Sequence, residues 1–565
     1  MNTLGRKFLV PAAYQLANLR MCNYLEPVGF AEPMKIQCHD YHFLPPFVPV
    51  FRQAKKFLNK IAIADRNGQH SYKDLLAQSH HLTERIKDAL DTQLGSTCQQ
   101  RIAFLCPNDV SYAVAQWATW QTNNIAVPLC KFHPTAQLTY YISDSEAALV
   151  MVTPEFFDTV KPITDKLGIP LIILESECDL PDILPGEIDE AEECNENLKL
   201  KSENAMIIYT SGTTGSPKGV VLTHFNLHAQ TSCLIQSWEW SSKDVILHVL
   251  PLHHVHGIVN AMLCPLLVGA TCVMLPKFNP SEVWKHMVDP EESMPRVNIF
   301  MGVPTMYVKL IEEYDSKFCQ AGTSSRTREF IKAVCMQKLR LMVSGSTVNG
   351  CIVYLTQIDG SVGNPLPGVE VRISVKNVYS PTGYDTIAEG NIHRTYETKG
   401  REQEIGELLV RGPSVFKSYW NRPDAMAAAF TSDKWFQTGD TVQYIDGVYK
   451  ILGRTSYDII KSGGYKISAL EVERHLLAHP NIKDCAVVGL PDITWGEKVG
   501  AVIVLANKYD SLVLSDLRDW CKDRVAPYAI PSVLECVPEL PRNVMGKVNK
   551  KNLIQTVFPH IKKIT

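Results

Sequence analysis

The sequence predicts an α/β fold, with a large multi-sheet N-terminal domain and a small α+β C-terminal domain. Short apolar runs alternate with amphipathic ones from about residue 51 to residue 152, and this alternation is typical of α/β layers with parallel strands. A separate group of short elements begins near residue 449. With 565 residues, of which 45% are apolar, the chain is long enough for several hydrophobic cores.

The large domain is predicted from short apolar runs and helical periodicity. Segments 61–63 and 102–105 are predicted strands, whereas 72–90 and 112–120 have the pattern of helices. Segment 178–204 is acid-rich and shows little periodicity, so it is predicted to be a solvated surface loop. Further core strands are predicted at 149–152, 171–174, 246–250 and 299–303.

The predicted small domain combines strands and helices in a compact stretch. A unit of this kind can move separately from the rest of a chain. Its predicted elements are a strand at 449–452, a glycine-rich turn, a helix at 469–477, strands at 485–489 and 499–505, and a helix at 514–524.

The composition excludes several classes of function. The chain has 56 basic and 59 acidic residues and no basic run, so no nucleic-acid partner is expected. The apolar stretch 261–275 is interrupted by Pro265 and Gly269 and is shorter than the ~20 residues of a membrane span, so none is expected. The 16 cysteines form no C-x-x-C pair, which favours buried thiols in a reducing compartment over a zinc ribbon or a disulfide framework.

Residues 1–44 are predicted to be a mitochondrial transit peptide and leader. Through Leu25 the chain contains Arg6, Lys7 and Arg20 but no acidic residue, with apolar residues around them. This pattern is typical of transit peptides and predicts a location in the mitochondrial matrix. A disordered cytosolic tail is the alternative interpretation.

The segment 210–219 reads T-S-G-T-T-G-S-P-K-G and follows a predicted strand at 205–209. Glycines let backbone N–H groups converge on an anion, and Lys218 supplies a charge that can follow a moving phosphate. The segment is not a Walker loop, because Pro217 precedes the lysine and Gly219 follows it. A plain flexible turn is the alternative. The residues predicted to bind phosphate are Thr210, Ser211, Gly212, Thr213, Thr214, Gly215, Ser216, Pro217 and Lys218, with Thr214 and Lys218 also assigned to catalysis.

This loop resembles the phosphate-binding signature of the adenylate-forming superfamily, which includes acyl-CoA synthetases, luciferases and the adenylation domains of peptide synthetases. The resemblance implies an AMP-binding domain at 45–455 and an AMP-binding-enzyme C-terminal domain at 456–565. It also implies ATP and CoA as substrates, Mg²⁺ as a cofactor, and a small mobile domain whose rotation lets two half-reactions share one site. No obligate protein partner is expected.

Segment 435–440 matches the T-G-D signature of this superfamily, and Arg454 follows at the expected spacing. The resemblance implies that Asp440 accepts hydrogen bonds from both ribose hydroxyls of ATP and that Arg454 donates to the same sugar. Taken alone, Thr-Gly-Asp is a common turn. Its position between the phosphate loop and the predicted small domain makes it specific.

The segment 455–473 resembles the hinge and pantetheine-tunnel region of the superfamily. Gly463 and Gly464 are assigned to CoA on this basis. The family usually has Asp or Lys at the hinge, and Ser456 stands there in this chain. A small polar residue can still absorb a backbone rotation, so Ser456 is the predicted hinge.

The segment 540–547 reads L-P-R-N-V-M-G-K and resembles the catalytic-lysine motif near the end of these enzymes. An ammonium between the attacked carboxylate and the α-phosphate neutralises the charge that develops during adenylation. Lys547 is therefore assigned to catalysis and ATP binding. A solvated surface lysine is the alternative interpretation.

The segment P-L-H-H-V-H-G at 251–257 lies where these enzymes carry a gate beside the acyl pocket. His254 is assigned to the gate and His253 to a structural role. No metal ligand is assigned, because no carboxylate is nearby in the sequence. The chain resembles malonyl-CoA synthetases here and in segment 302–309, and His256 and Lys309 are the candidates for binding the second carboxylate of malonate.

One family motif is missing. Between strand 341–346 and Gly360 the family has the sequence Y-G-x-T-E, whereas this chain has only residues 347–359 and no Tyr-Gly pair anywhere. The glutamate of that motif holds Mg²⁺ in the family, and a metal ion typically contributes several kcal/mol to such chemistry. The shortened, strand-like segment therefore predicts a splice form or gene-model variant with little or no adenylating activity.

The predicted function by lineage is ATP-dependent ligation of malonate, or also methylmalonate, to CoA, in support of mitochondrial malonate use and fatty acid synthesis. The first alternative is a catalytically impaired relative that binds nucleotide or CoA only. The second is an adenylation domain that serves a carrier protein, which is disfavoured because no carrier-type serine motif follows Lys547.

Overall fold

The computed structural model describes residues 44–91, 98–174, 190–210, 216–288, 295–318, 325–344, 352–353, 361–463, 465–507, 511–542 and 548–560. These residues form two compact units. The first contains the described residues up to 344, together with 366–368 and 413–426. The second contains the described residues of 352–365, 369–412 and 427–560.

Two sheets form the framework of the first unit, and both are largely parallel. Parallel strands carry functional residues at their carboxyl ends, where the connecting loops meet. The first sheet has the order Leu341–Ser344, Ile299–Gly302, Val245–His248, Thr271–Met274, Ile61–Asp65 and Gly68–Ser71. The second has the order Ser418–Tyr419, Lys218–Thr223, Asn204–Thr210, Ile125–Pro128, Arg101–Leu105, Ala147–Val152 and Leu171–Ile173.

Helices cover these sheets and bury their apolar faces. Helix Val110–Gln121, for example, buries ten of its side chains, including Trp117 at 0% exposure. The helices of the first unit are Val50–Gln53, Tyr72–Asp91, Val110–Gln121, Thr135–Asp144, Phe157–Leu167, Glu190–Ser202, His224–Ser237, Cys264–Val268, Pro280–Val288, Pro304–Phe318 and Ser325–Lys338, with a π-helix at His256–Leu263. Helix Pro423–Ala429 continues from the first unit into the second.

The second unit contains an antiparallel sheet and a smaller mixed sheet. The antiparallel sheet has the order Thr395–Glu397, Tyr384–Gly390, Glu370–Lys376, Ile405–Arg411, Phe436–Ile445 and Val448–Arg454. The smaller sheet has the order Tyr465–Ser468, Ile459–Ser462, Gly496–Leu505 and Ile482–Asp492, with Val533–Cys536 parallel to Gly496–Leu505. Its helices are Ala469–Leu477, Leu514–Cys521 and Lys550–Val557.

The α/β fold class is confirmed, and most predicted elements are present. Helix Ala469–Leu477 has the bounds that the sequence predicts. The predicted boundary between residues 455 and 456 lies inside the second unit, between its two sheets, and as a domain boundary it stays a prediction. None of the described helices has both the length and the apolar composition that crossing a membrane requires.

The predicted loop at 178–204 is wrong for its second half, which forms helix Glu190–Ser202. Arg52 explains why an acid-rich segment orders here, because it donates a hydrogen bond of 2.7 Å to Asn197 and pairs with Glu196. Leu200 is 9% exposed and anchors the same helix in the first unit. Periodicity alone does not reveal a helix that is held by one distant arginine.

Seven of the described cysteines, among them Cys106 and Cys264, are buried as predicted, whereas Cys98, Cys194 and Cys536 are exposed. Burial raises the pKa of the Cys106 and Cys264 thiols. The shortened segment 347–359 lies mostly outside the described residues. Its described part, Ile352–Val353, is a short strand that pairs with Asn364–Pro365.

Candidate active site

The phosphate loop connects two strands of a β-hairpin in the first unit. Strands Asn204–Thr210 and Lys218–Thr223 are antiparallel, and Thr210 lies opposite Lys218. Thr210 Oγ1 is 3.4 Å from the carbonyl oxygen of Lys218, so both ends of the loop are held together. The predicted residues Ser211, Gly212, Thr213, Thr214 and Gly215 lie outside the described residues.

The described end of the loop has an ordered environment. Ser216 is exposed, and Pro217 and Lys218 are half-buried. Lys218 Nζ lies 5.4 Å from the centroid of the Tyr419 ring, a cation–π distance. The ammonium thus lies beside an aromatic face at the described end of the loop.

Tyrosines that the sequence analysis did not single out support this hairpin. The Tyr140 hydroxyl donates a hydrogen bond of 2.8 Å to the Pro217 carbonyl. Tyr141 stacks on Tyr209 with ring centroids 4.3 Å apart, and the Tyr209 hydroxyl donates to Asp144 at 2.9 Å. Burial, followed by Asp144, raises the pKa of Tyr209, so its hydroxyl stays a donor. The two adjacent tyrosines on helix Thr135–Asp144 are the feature of the sequence from which this support could have been predicted.

The histidine segment, residues 253–257, follows strand Val245–His248 in the first unit. Its course depends on Gly257, because a Cβ at this position would lie 2.3 Å from the carbonyl oxygen of Pro251. His256 begins the π-helix His256–Leu263, a form that is frequent at functional sites. The close approach at Gly257 therefore fixes where His256 stands.

Burial keeps His248, His253 and His256 neutral. It lowers the pKa of His256 to about 4 and, together with His254, that of His253 to about 2. His248 makes a contact of 2.9 Å with the Gly257 carbonyl, and its pKa is lowered to about 4. His256 can therefore donate or accept a hydrogen bond at neutral pH, but it does not supply a positive charge.

His254 and Lys309 are both in the first unit. The His254 ring is half-buried, with its centroid 4.0 Å from that of His253. Lys309 lies on the exposed side of helix Pro304–Phe318, one turn after Thr305. Because His256 is neutral, Lys309 is the cation of the predicted malonate pair.

Residues 438–440 and Arg454, which are predicted to bind the ribose, form a turn in the second unit that is called the ribose turn below. The register of strands Phe436–Ile445 and Val448–Arg454 places Asp440 opposite Arg454, and Asp440 Oδ1 is 3.0 Å from Arg454 Nε. Asp440 is 2% exposed, whereas the Arg454 side chain is 40% exposed. Gly439 has φ +72°, which favours glycine in this turn. The structure thus brings together the two residues predicted to bind the sugar.

The predicted hinge residue, Ser456, is exposed in a turn directly after Arg454. Gly463 has φ +56°, and a Cβ there would lie 2.9 Å from Trp495, so glycine is required at this predicted CoA position. Gly464 lies outside the described residues.

Lys547 also lies outside the described residues, but both flanks of its motif are described. Before it, Arg542 pairs with Asp484 at 2.7 Å, and residues 542 and 548 form a short bridge. After it, Lys550 begins the helix Lys550–Val557. The two flanks of the lysine motif are therefore anchored within the second unit.

A buried ion cluster, not predicted from the sequence, lies behind the ribose turn. Lys550 Nζ is 2.6 Å from Asp458 and 2.7 Å from Glu473, and the three side chains are 11–15% exposed. Asp458 also accepts the backbone N–H of Arg454 at 3.0 Å. The nearby carboxylates outweigh burial and raise the pKa of Lys550. Lys550 thereby connects the lysine motif to the segment that follows Arg454.

Comparison with known proteins agrees with these features. The AMP-binding enzyme family matches residues 50–420, and the AMP-binding enzyme C-terminal domain matches residues 471–547. Malonate–CoA ligase ACSF3, mitochondrial, from Homo sapiens is 47% identical over 543 residues, covering 90% of this chain and 92% of that protein. Malonate–CoA ligase from Arabidopsis thaliana is 34% identical, covering 90% and 88%. The crystal structure of ATP-bound MatB from Rhodopseudomonas palustris has a TM-score of 0.70 at 26% identity, covering 90% and 98%.

Proposed function

The chain belongs to the AMP-binding enzyme family, and we propose that it is by lineage an ATP-dependent malonate–CoA ligase. Malonate and ATP give malonyl-adenylate and pyrophosphate, and the CoA thiolate then displaces AMP to give malonyl-CoA. The observation that carries the nucleotide part is the buried Asp440 paired with Arg454 in a turn matching the family signature. The choice of malonate follows the malonate–CoA ligases that are 34–48% identical to this chain.

Each predicted residue has a defined task in the first half-reaction. Backbone N–H groups and hydroxyls of residues 210–218 hold the phosphates, and Lys218 follows the departing pyrophosphate. Asp440 accepts hydrogen bonds from the ribose hydroxyls, which orients the α-phosphate toward the substrate carboxylate. Lys547 neutralises the charge that accumulates as the carboxylate attacks. In this scheme Thr214 contributes its hydroxyl to the same phosphates.

The second carboxylate of malonate requires a positive charge, and we assign this task to Lys309. A charge-assisted hydrogen bond from lysine is about twice as strong as a neutral one. His256 then adds a neutral donor, consistent with its pKa of about 4. His254 acts as the gate between the acyl pocket and the reacting carboxylate.

The second half-reaction uses CoA, which the segment around Gly463 and Gly464 is proposed to receive after rotation at Ser456. The thiolate attacks the carbonyl carbon of malonyl-adenylate, the C–O bond to AMP breaks, and the thioester forms. The left-handed conformation of Gly463 supports close approach of a ligand to the backbone. Mg²⁺ is the implied cofactor, but the Y-G-x-T-E glutamate is absent from the chain, so no step is derived through the ion.

The proposed location is the mitochondrial matrix. The vertebrate relatives that are 47–48% identical are named mitochondrial, and residues 1–44 have the composition of a transit peptide. Malonyl-CoA formed there would be available for fatty acid synthesis. Methylmalonate is a second candidate acid.

A second candidate function is binding of nucleotide or CoA without turnover. The absence of Y-G-x-T-E between residues 341 and 360 favours it, because that motif supplies the carboxylate for Mg²⁺ in the family. In this case the ribose turn would still bind ATP, but adenylate would not accumulate.

Product analysis tests the choice of substrate. The chain with the family's longer segment in place of residues 347–359 is incubated with ATP, CoA and malonate, methylmalonate, acetate or octanoate, and thioesters are identified by mass spectrometry. Malonyl-CoA is the expected main product. Lys309→Met should lower kcat/KM for malonate by about 100-fold and change that for acetate little. A preference for acetate or octanoate in the chain that carries the longer segment and retains Lys309 would overturn the proposal.

A further inference from the structure

Three metal-ligating side chains meet in the first unit although they are distant in sequence. Cys130 and His133 follow strand Ile125–Pro128 of one sheet, and His253 follows strand Val245–His248 of the other. One ligand atom from each residue lies within 4.8 Å of the others. No metal ligand is predicted from the sequence here, because no carboxylate lies near His253 in the chain and Cys130 and His133 are more than a hundred residues away.

The environment of the two histidines indicates an unused binding capacity. His253 is 8% exposed and its Nε2 is buried, as is Nδ1 of His133, and neither nitrogen makes a hydrogen bond within the described residues. Leaving a buried polar atom unpaired is unfavourable, and a ligand that pairs with it removes this cost. Burial lowers the pKa of both rings, so each is neutral and has a lone pair available at neutral pH. Neutral imidazole is the form that binds metals.

Cys130 is also suited to a ligand role. It is 3% exposed, and burial raises the pKa of its thiol. Backbone N–H groups of Phe132 and His133 and the charge of Lys131 act in the opposite direction and favour the thiolate. A bound metal ion would displace the proton in spite of burial, since a coordinating thiol loses its proton.

We infer that Cys130, His133 and His253 form a site for a thiophilic divalent cation of the zinc class. A tetrahedral zinc site has bonds of about 2.0–2.3 Å, which place ligand atoms roughly 3.5 Å apart. The three ligand atoms lie within 4.8 Å of one another, so each pair needs to approach by at most about 1.3 Å, and rotation of the half-exposed His133 ring can supply part of this. Hard cations such as Mg²⁺ prefer oxygen ligands and do not fit this set.

Three consequences follow from this set of three protein ligands. The ion would join the loops that follow strands of two different sheets, which adds a cross-link to the first unit. It would also retain a fourth position for water or a small ligand, as open zinc sites do. Since His253 precedes His254 directly, a bound ion would also restrict the segment that carries the proposed gate.

The test uses the full chain, freed of metal with a chelator and titrated with Co²⁺ and Zn²⁺. Co²⁺ is expected to bind at one ion per chain with a thiolate-to-cobalt charge-transfer band and tetrahedral d–d bands, and Zn²⁺ should displace it. Cys130→Ser should abolish the charge-transfer band and weaken Zn²⁺ binding by more than about tenfold, and His133→Gln should weaken it similarly. The matched control Cys106→Ser removes another buried thiol that follows a strand of the same sheet, and it should bind as the parent does.

Thermal unfolding of the metal-free variants separates binding from folding. If Cys130→Ser unfolds at the parent's temperature without metal but no longer gains stability with Zn²⁺, the site is supported. Zn²⁺ binding that is unchanged in both Cys130→Ser and His133→Gln would overturn the proposal. The absence of a charge-transfer band in the parent chain at stoichiometric Co²⁺ would overturn it as well.

Discussion

The ribose turn and the histidine segment hold their polar groups in opposite ways. In the ribose turn a buried carboxylate, Asp440, is paired with Arg454 at 3.0 Å, so its charge is kept and directed. In the histidine segment burial keeps the His256 ring uncharged, because it lowers the pKa of this residue to about 4. A charged pair fixes the direction of its hydrogen bonds before a ligand binds. A neutral buried group without a partner gains the most free energy when a ligand supplies that partner. Under the proposed assignments, the first arrangement binds the nucleotide, which is common to the family, and the second binds the variable acyl substrate.

The largest expected effect on ligand binding comes from removing the charge of the ribose turn. Asp440→Asn keeps the shape of the side chain but would lose the proposed charge-assisted hydrogen bonds to the ribose hydroxyls, each worth about 1.5–3 kcal/mol. ATP affinity measured by calorimetry should fall by about 100-fold. Asp446→Asn, on the exposed turn of the same hairpin, is the control and should change affinity little. A loss below threefold for Asp440→Asn would show that this carboxylate does not contact the nucleotide.

Removing the cation of the buried cluster tests how the ribose turn is supported. Lys550→Met leaves Asp458 and Glu473 without their partner, and an uncompensated buried charge costs about 3–5 kcal/mol. The free energy of unfolding of the second unit should decrease by about 3 kcal/mol in a denaturant titration. Lys551→Met, on the exposed face of the same helix, should have almost no effect. Equal stability of the two variants would mean that the cluster does not stabilise this unit.

Gly257 tests how rigidly the histidine segment is placed. Gly257→Ala puts a methyl group 2.3 Å from the Pro251 carbonyl oxygen, and overpacking of this kind costs about 1–3 kcal/mol. We expect a loss of about 2 kcal/mol in stability of the first unit, with weaker malonate binding. The control is Gly447→Ala. Gly447 has a left-handed φ of +78° but open space around it, so this substitution introduces backbone strain without a steric clash. If Gly257→Ala decreases the free energy of unfolding no more than Gly447→Ala does, the close contact at Gly257 is contradicted.

The smallest effect is a pH dependence. The His256 pKa is about 4 in the folded protein and about 6.5 in the unfolded chain, so between these values the unfolded state binds the extra proton. The contribution of His256 to the free energy of unfolding is largest above pH ~6.5. It decreases as the pH falls toward 4, and the decrease is about 1.4 kcal/mol at pH ~5.5.

When the pH is lowered from ~7.5 to ~5.5, the free energy of unfolding should therefore decrease by about 1.4 kcal/mol less in His256→Gln than in the parent. Denaturant unfolding at each pH measures this difference. The exposed His393→Gln is the control and should follow the parent. An acid response of His256→Gln identical to that of the parent would show that His256 is not held neutral by burial.

The sequence predicts best where a local pattern decides the structure. Helix Ala469–Leu477 has apolar residues at helical spacing and Ser468 as its N-cap, and the Ser468 side chain accepts the Glu471 N–H at 3.2 Å. The Asp440 and Arg454 pair was predicted because both residues belong to motifs of fixed spacing. Each of these predictions uses information from within about 20 residues.

The sequence predicts poorly where side chains from distant segments decide the structure. Helix Glu190–Ser202 depends on Arg52, more than a hundred residues away. The neutrality of His256 depends on burial, which no motif specifies. Cys130 and His253 meet only because strands of two sheets end near each other, and the sequence around either residue contains no sign of the other.

The most direct test of the account is malonate-dependent pyrophosphate release from Mg-ATP, measured for this chain and for the chain with the family's longer Y-G-x-T-E segment in place of residues 347–359. We predict strong, malonate-dependent release in the restored chain and little or none in the chain as it stands, with ATP bound by both. Equal activity in the two proteins would show that the ion is held elsewhere and that the shortened segment is not limiting. No malonate-dependent release in a folded, ATP-binding restored chain would contradict the proposed malonate–CoA ligase activity.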